Sequence, residues 1–185
     1  SMVTTGPGGT NAITGIAGAW MDSVPTLTIS GQVFLEQTIK DTNLRQLGIQ
    51  EINIVDIVKP ITKYAVMVER PEDVIYEIQK AITIANDGRP GPTWVDIPAN
   101  IQNSSIKLAD YKVFKYKKSN NTSQKFIPNN VIDNVTSVIK KAKKPLIYIG
   151  RGIQIANAED YLFDFVQKTG IPFLTSWNAS ELVAS

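Results

Sequence analysis

Among its 185 residues the sequence has no cysteine and no histidine. The first absence excludes disulfides and thiolate nucleophiles; the second removes the commonest metal ligand and general base. Aromatic residues make up only 8% of the chain. No apolar run reaches the roughly 18 residues that a membrane-spanning helix needs, and no signal peptide opens the chain. Excess charge of one sign is missing too: 19 Lys and Arg stand against 17 Asp and Glu, a formal net charge of +2. That balance points to a cytoplasmic piece with neither a membrane nor a nucleic acid as partner, and the lysines between Lys112 and Lys118 read as a solvated connector. Any chemistry must therefore rest on carboxylates, amides, backbone groups or a bound cofactor, and no metal-ligating set stands out.

Residues 3 to 33, VTTGPGGTNAITGIAGAWMDSVPTLTISGQV, are the most informative run. Val3 to Gly6 read as the end of a buried strand, and Pro7-Gly8-Gly9 as a tight turn that leaves backbone N–H groups open. From Thr10 onward Ile13, Ile16, Ala17 and Trp20 recur at helical spacing, while Ala12, Gly15, Gly18 and Ala19 make a thin face expected to pack closely on a sheet. Open N–H groups at a helix start suit an anion or a polar ligand atom; a strand-to-helix connection with no ligand fits the same residues. GPGG matches neither the GxGxxG nor the GxxxxGK[ST] pattern.

Further along, strand-like and helix-like segments alternate, the pattern of an α/β fold with a parallel sheet flanked by helices. Strands are expected at 26–30, 62–68 and 93–97, with a helix from Pro71 whose apolar face runs Val74, Ile78, Ala81, Ile82, Ala85 until Asp87-Gly88 stops it. Residues 101–127 lack periodicity and read as a linker between a first domain, 1–100, and a second, 128–185. The second opens with a helix carrying Val131, Ile132, Val135, Val138 and Ile139, then a strand at 145–149, a helix ended by Gly170 and a strand at 171–175.

TTGPGGTNAITGIAGAWMDSVPTLTISGQV resembles the pyrimidine-binding domain of thiamine diphosphate enzymes, specifically the acetolactate synthase group. LGIQEINIVDIVKPITKYAVMV (47–68) is similar to that family's QE-x-x-IV and P-[IV]-T-K segments, and AITIANDGRPGPTWVDIPANIQ (81–102) to the helix, turn and strand that close the same domain. Residues 144–178 resemble the start of its Rossmann-like central domain. The resemblance implies an incomplete pyrimidine domain followed by part of the central one, within a decarboxylase or carboligase that acts on 2-oxo acids such as pyruvate and works as a homodimer or tetramer.

Carried over residue by residue, the resemblance puts Gly6, Pro7, Gly8, Gly9, Thr10, Asn11 and Gly31 near the cofactor. It puts Gln50, Gln32 and Lys63 near the reacting centre, where a neutral amide such as Gln50 could donate to a substrate carboxylate or carbonyl. Thiamine diphosphate and magnesium are implied for the full-length enzyme. The family's catalytic glutamate lies upstream of GPGG and its GDG-type magnesium motif far downstream, so the isolated piece is expected to be inactive. FAD is implied at Gly150 and Gly152, but Arg151 interrupts the usual glycine run and Thr175-Ser176-Trp177-Asn178-Ala179 departs from the family pattern. Phe34 in place of proline, and LEQTIKDTNLRQLGIQE in place of the short TDAFQE approach, point to a different substrate channel. A non-catalytic module of the same fold, kept for dimerisation or nucleotide binding, remains the alternative.

Overall fold

A computed structural model describes residues 1–40, 42–116 and 127–183, folded as two compact units, Ser1–Lys117 and Lys118–Ser185. The latter part of the expected linker, residues 117–126, lies outside the described residues.

Four parallel strands build the first unit: β1 (Met2–Val3), β2 (Thr26–Gln32), β3 (Tyr64–Met67) and β4 (Pro92–Pro98), side by side in the order β1-β2-β4-β3. Four helices accompany them: α1 (Pro7–Met21), α2 (Ile54–Val58), α3 (Val74–Asn86) and the single turn α4 (Ala99–Gln102). Because β4 is central and covered on both faces, it is buried from end to end, as parallel strands usually are. Its side chains alternate. Trp94 packs with Ile16 of α1 and with Ile54 and Val58 of α2, whereas Val95 and Ile97 pack with Ala81 of α3 and Ile101 of α4. The register sets Thr28 opposite Trp94, Ser30 opposite Asp96 and Gln32 opposite Pro98.

Three local expectations need correction. The strand expected at Val3–Gly6 is only Met2–Val3, because Gly6 turns to φ 58° and hands the chain to Pro7 at the first position of α1. In α1 the thin face at Gly15 and Gly18 does not meet the sheet: a Cβ on either would touch nothing within 4 Å. The close approach is at Gly9, where a Cβ would lie 3.3 Å from Ile54. Trp20 is 41% exposed at the far end of the helix. Finally, α2 was not expected at all; it is capped by the Asn53 side chain, which accepts from the Asp56 N–H at 3.2 Å.

The chain after α4 is held against α3. Lys112 N–H donates to the Glu72 carbonyl at 3.0 Å, Phe114 N–H to the Gln79 side chain at 2.9 Å, and the Phe114 ring meets Tyr76 edge to face at 5.4 Å.

In the second unit β5 (Ile147–Ile149) and β6 (Phe173–Thr175) pair in parallel, accompanied by α5 (Asn129–Lys141), α6 (Gly152–Ile155) and α7 (Glu159–Thr169). Gly170 stops α7 in the left-handed conformation, φ 65°, with its N–H on the Val166 carbonyl. Ile149, Leu162, Ile171 and Ala179 are buried, while the apolar stripe of α5, Val131, Ile132, Val135 and Val138, is exposed.

Candidate functional site

Open parallel sheets collect ligands at the carboxyl ends of their strands. At that edge of the first unit two turns meet: the one between β1 and α1, and the one before α2. A Cβ on Gly6 would lie 2.1 Å from the Gln50 carbonyl oxygen, so only glycine fits. Gln50 has a left-handed backbone of its own, φ 60°, uncommon for a residue with a side chain, and its side chain is exposed. The GPGG turn and the glutamine of the QE block are thus locked together by backbone shape.

Gln32, at the end of β2, lies beneath them and is only 5% exposed. Its Oε1 accepts from the Thr5 hydroxyl at 2.8 Å and from the Val33 N–H at 3.0 Å. Its Nε2 donates to the Ile52 carbonyl and to Asp96 Oδ2, both at 3.0 Å. Those four bonds use both donors and both acceptor positions of the amide. Gln32 is therefore not presented outward as a group for substrate; it ties three segments together from within.

Asp96 of β4 is 1% exposed. Its Oδ1 accepts from the Ser30 hydroxyl at 2.5 Å, and the Ser30 Oγ in turn accepts from the Trp94 indole N–H at 2.8 Å. Burial pushes the Asp96 carboxyl up to about 6, against the opposing pull of its hydrogen bonds from Ser30 and Gln32. The carboxylate and Gln32 line a cavity of about 310 Å³, with Ile52, Val55 and Ala65 as its apolar walls and Asp56, Lys40 and Glu69 around it. Lys40 and Glu69 pair with each other. Glu51, 3% exposed, accepts from the Ile39 N–H at 3.1 Å and folds the preceding loop onto the site.

The remaining expected residues divide. Pro7, Thr10 and Asn11 are exposed on the first turn of α1, with the Thr10 hydroxyl on the Pro7 carbonyl. A Cβ on Gly8 would meet Thr4 Cγ2 at 2.5 Å, and one on Gly31 would meet Gln102 Nε2 at 3.4 Å. Lys63 is not part of this constellation. It precedes β3 at the amino end of the sheet, its N–H bonds the Pro92 carbonyl, and its ammonium bonds the Asp87 carbonyl. The length of β4 separates it from the Gln32 edge, about 20 Å at 3.3 Å per residue. Burial lowers the Lys63 pKa, with Asp87 acting the other way. Gly150 and Gly152, in the second unit, face open space. No group of three His, Cys, Asp or Glu side chains among the described residues could hold a metal ion.

Sequence reasoning passed over Asp96, Ser30 and Thr5. Asp96 alone carried a signal, a single carboxylate inside the apolar run Trp94-Val95-Asp96-Ile97 of a strand expected to be buried.

Residues 1–57 match the family model for the thiamine pyrophosphate enzyme N-terminal TPP binding domain, and residues 132–185 match the model for the central domain. The chain is 38% identical over 180 residues to the acetolactate synthase large subunit of Buchnera aphidicola subsp. Schizaphis graminum, covering 95% of the chain and 30% of that relative. It is 35% identical over 179 residues to the acetolactate synthase isozyme 3 large subunit of Escherichia coli, covering 95% and 29%. With the chloroplastic acetolactate synthase of Arabidopsis thaliana the identity is 34% over 171 residues, covering 92% and 24%. The chain spans less than a third of the length of these relatives.

Proposed function

We infer that this chain, which is similar to acetolactate synthase large subunits along both units and carries sequence of the N-terminal and central domains of thiamine pyrophosphate enzymes, forms one wall of a thiamine pyrophosphate site. The whole enzyme would decarboxylate a 2-oxo acid such as pyruvate and join the remaining fragment to an acceptor carbonyl. The observation that carries this reading is the meeting of the Gly6 and Gln50 turns at the carboxyl edge of a parallel sheet.

That meeting suits the aminopyrimidine end of the cofactor. The missing side chain of Gly6 lets the Gln50 carbonyl close against it and so fixes the turn that presents Gln50, and the exposed Gln50 amide can donate to a carboxylate or carbonyl without acting as a competing base. When bound, thiamine pyrophosphate supplies the carbon nucleophile and the electron sink. The chain's own residues orient and exclude: Gln32 and Asp96 fix the floor, and Glu51 folds the loop over it. The described residues do not fit magnesium, since they offer no ligand set for it, and no step here runs through that metal. FAD is left out of the reading because Arg151 stands between the two glycines that would approach it. A cytoplasmic homodimer or tetramer, divided as 1–100, a linker 101–127 and 128–185, completes the proposal.

The test is Gln50→Ala in the full-length protein, assayed with thiamine pyrophosphate, magnesium and pyruvate. Turnover should fall by about 100-fold, the usual effect of removing one preorganised donor, with cofactor binding retained. Unchanged turnover in a folded variant overturns the role of Gln50. Tight FAD binding by wild type without any thiamine pyrophosphate binding overturns the enzyme reading in favour of a nucleotide-binding module.

A further inference from the structure

Gln32 bonds at once to Thr5, next to Gly6, to the Ile52 carbonyl, two residues beyond Gln50, and to Asp96. These segments are far apart in sequence, and the amide is where they join. Orientation matters here. With Oε1 receiving Thr5 and Val33 and Nε2 giving to Ile52 and Asp96, a flipped amide would set donor against donor on one side and acceptor against acceptor on the other. We propose that Asp96 is a positioning residue whose ionised carboxylate holds the Gln32 amide in this one orientation, and so sets the spacing between the Gly6 turn and the Gln50 turn. The proposal deepens the reading above, resting on it only for the use to which that spacing is put.

Asp96 has a second set of connections. Ser30 donates to its Oδ1 while accepting from the Trp94 indole. Protonation on Oδ2 sets the new O–H against the Gln32 N–H and removes that acceptor, while the loss of charge weakens the Ser30 bond to Oδ1, on whose hydroxyl the Trp94 N–H rests. The state of Asp96 is thus readable at Trp94, which is fully buried, whereas Trp20 and Trp177 are 41% and 93% exposed. The ionisable groups that share the cavity are Glu51 from the loop before α2, Asp56 from α2, and Lys40 and Glu69, which pair with each other. Glu51 is the one that adjoins Gln50 in the chain, so a variant must isolate the contribution of Asp96.

The experiment is a pH titration of the 185-residue chain without cofactor, following the Trp94 indole and the Gly6 and Gln50 backbone amides by nitrogen–proton NMR. In wild type all three signals should shift together with a midpoint near 6, the value to which burial raises Asp96. In Asp96→Asn, which keeps an acceptor for Gln32 but cannot titrate, all three should stay flat. In Gln32→Met the indole should still titrate while the two amides stay flat. A wild-type titration in which the indole moves and the turn amides do not overturns the proposal, as does movement of the amides that survives in Asp96→Asn. The wild-type result needs no variant to fold. Because no cofactor is present, this outcome is independent of the turnover assay, and either reading can fail alone.

Discussion

The backbones of Gly6 and Gln50 approach so closely that a single methyl group on Gly6 would sit 2.1 Å from the Gln50 carbonyl oxygen. Gly6 also has φ 58° and ψ −119°, a region open to glycine and costly for other residues. Gly6→Ala should destabilise the first unit by about 2 kcal/mol or more, combining backbone strain with the clash. Urea denaturation checks the stability, and the Gln50 amide resonance checks that the damage reaches the neighbouring turn. A variant with the stability and the Gln50 signal of wild type would remove the reason for glycine here.

Asp96 gives a pH dependence opposite to that of most carboxylates. Its carboxyl is raised in the folded chain from 3.8 to about 6, so between these values the folded state holds more proton than the unfolded state. Stability from this group therefore grows as pH falls from 6 to 4, and it is absent above 6. The full effect is on the order of 3 kcal/mol, from about two units at 1.36 kcal/mol each. Asp96→Asn should lose that slope. Urea midpoints at pH 7 and pH 5 measure it, and a wild type that weakens over this interval as much as Asp96→Asn does would contradict the assignment.

Much of the frame was legible because it rests on local chemistry. The Asp87-Gly88 stop of α3, the β-compatible run Thr93 to Ile97 after a proline-glycine turn, and Gly170 past α7 all follow from backbone preferences, whereas Pro71 opens a 3-10 turn, Pro71–Asp73, and α3 itself begins at Val74. The polar heart of the site was not. In β2, Thr28, Ser30 and Gln32 alternate with Leu27 and Ile29, a pattern that ordinarily turns the polar side to water. Here the polar side is the buried one, since Ser30 and Gln32 find their partner on Asp96, more than sixty residues away. The five residues of α2 span too little chain for periodicity to register, and the left-handed turn at Gln50 has no glycine to announce it.

Ser30 holds together two buried groups, the Trp94 indole N–H and Asp96 Oδ1. Ser30→Ala should cost about 1–3 kcal/mol by leaving the indole donor without a partner. It should also raise the Asp96 carboxyl further, because a hydrogen bond that favours the ionised form is gone. Denaturation at pH 7 reads the first effect. The Trp94 indole titration reads the second as a midpoint above that of wild type; a midpoint shifted to lower pH would show that Ser30 does not favour the carboxylate.

Gly15 and Gly18 lie inside α1 with nothing within 4 Å of where a Cβ would stand. Neither has a positive φ, so alanine can take both places without strain. Glycine inside a helix costs roughly 0.5–1 kcal/mol relative to alanine, and Gly15→Ala with Gly18→Ala should stabilise the isolated chain by about 1–2 kcal/mol in urea. The same pair separates two reasons for a thin helix face. If the glycines matter only within one copy, the double variant of the full-length protein gains stability and keeps its oligomeric state. If a second copy packs on that face, the methyl groups gain stability in the isolated chain yet weaken association, and sedimentation of the full-length variant shows a larger monomer fraction than wild type. Loss of stability in the isolated chain would mean that the face is covered within one copy, contrary to the open space at both glycines.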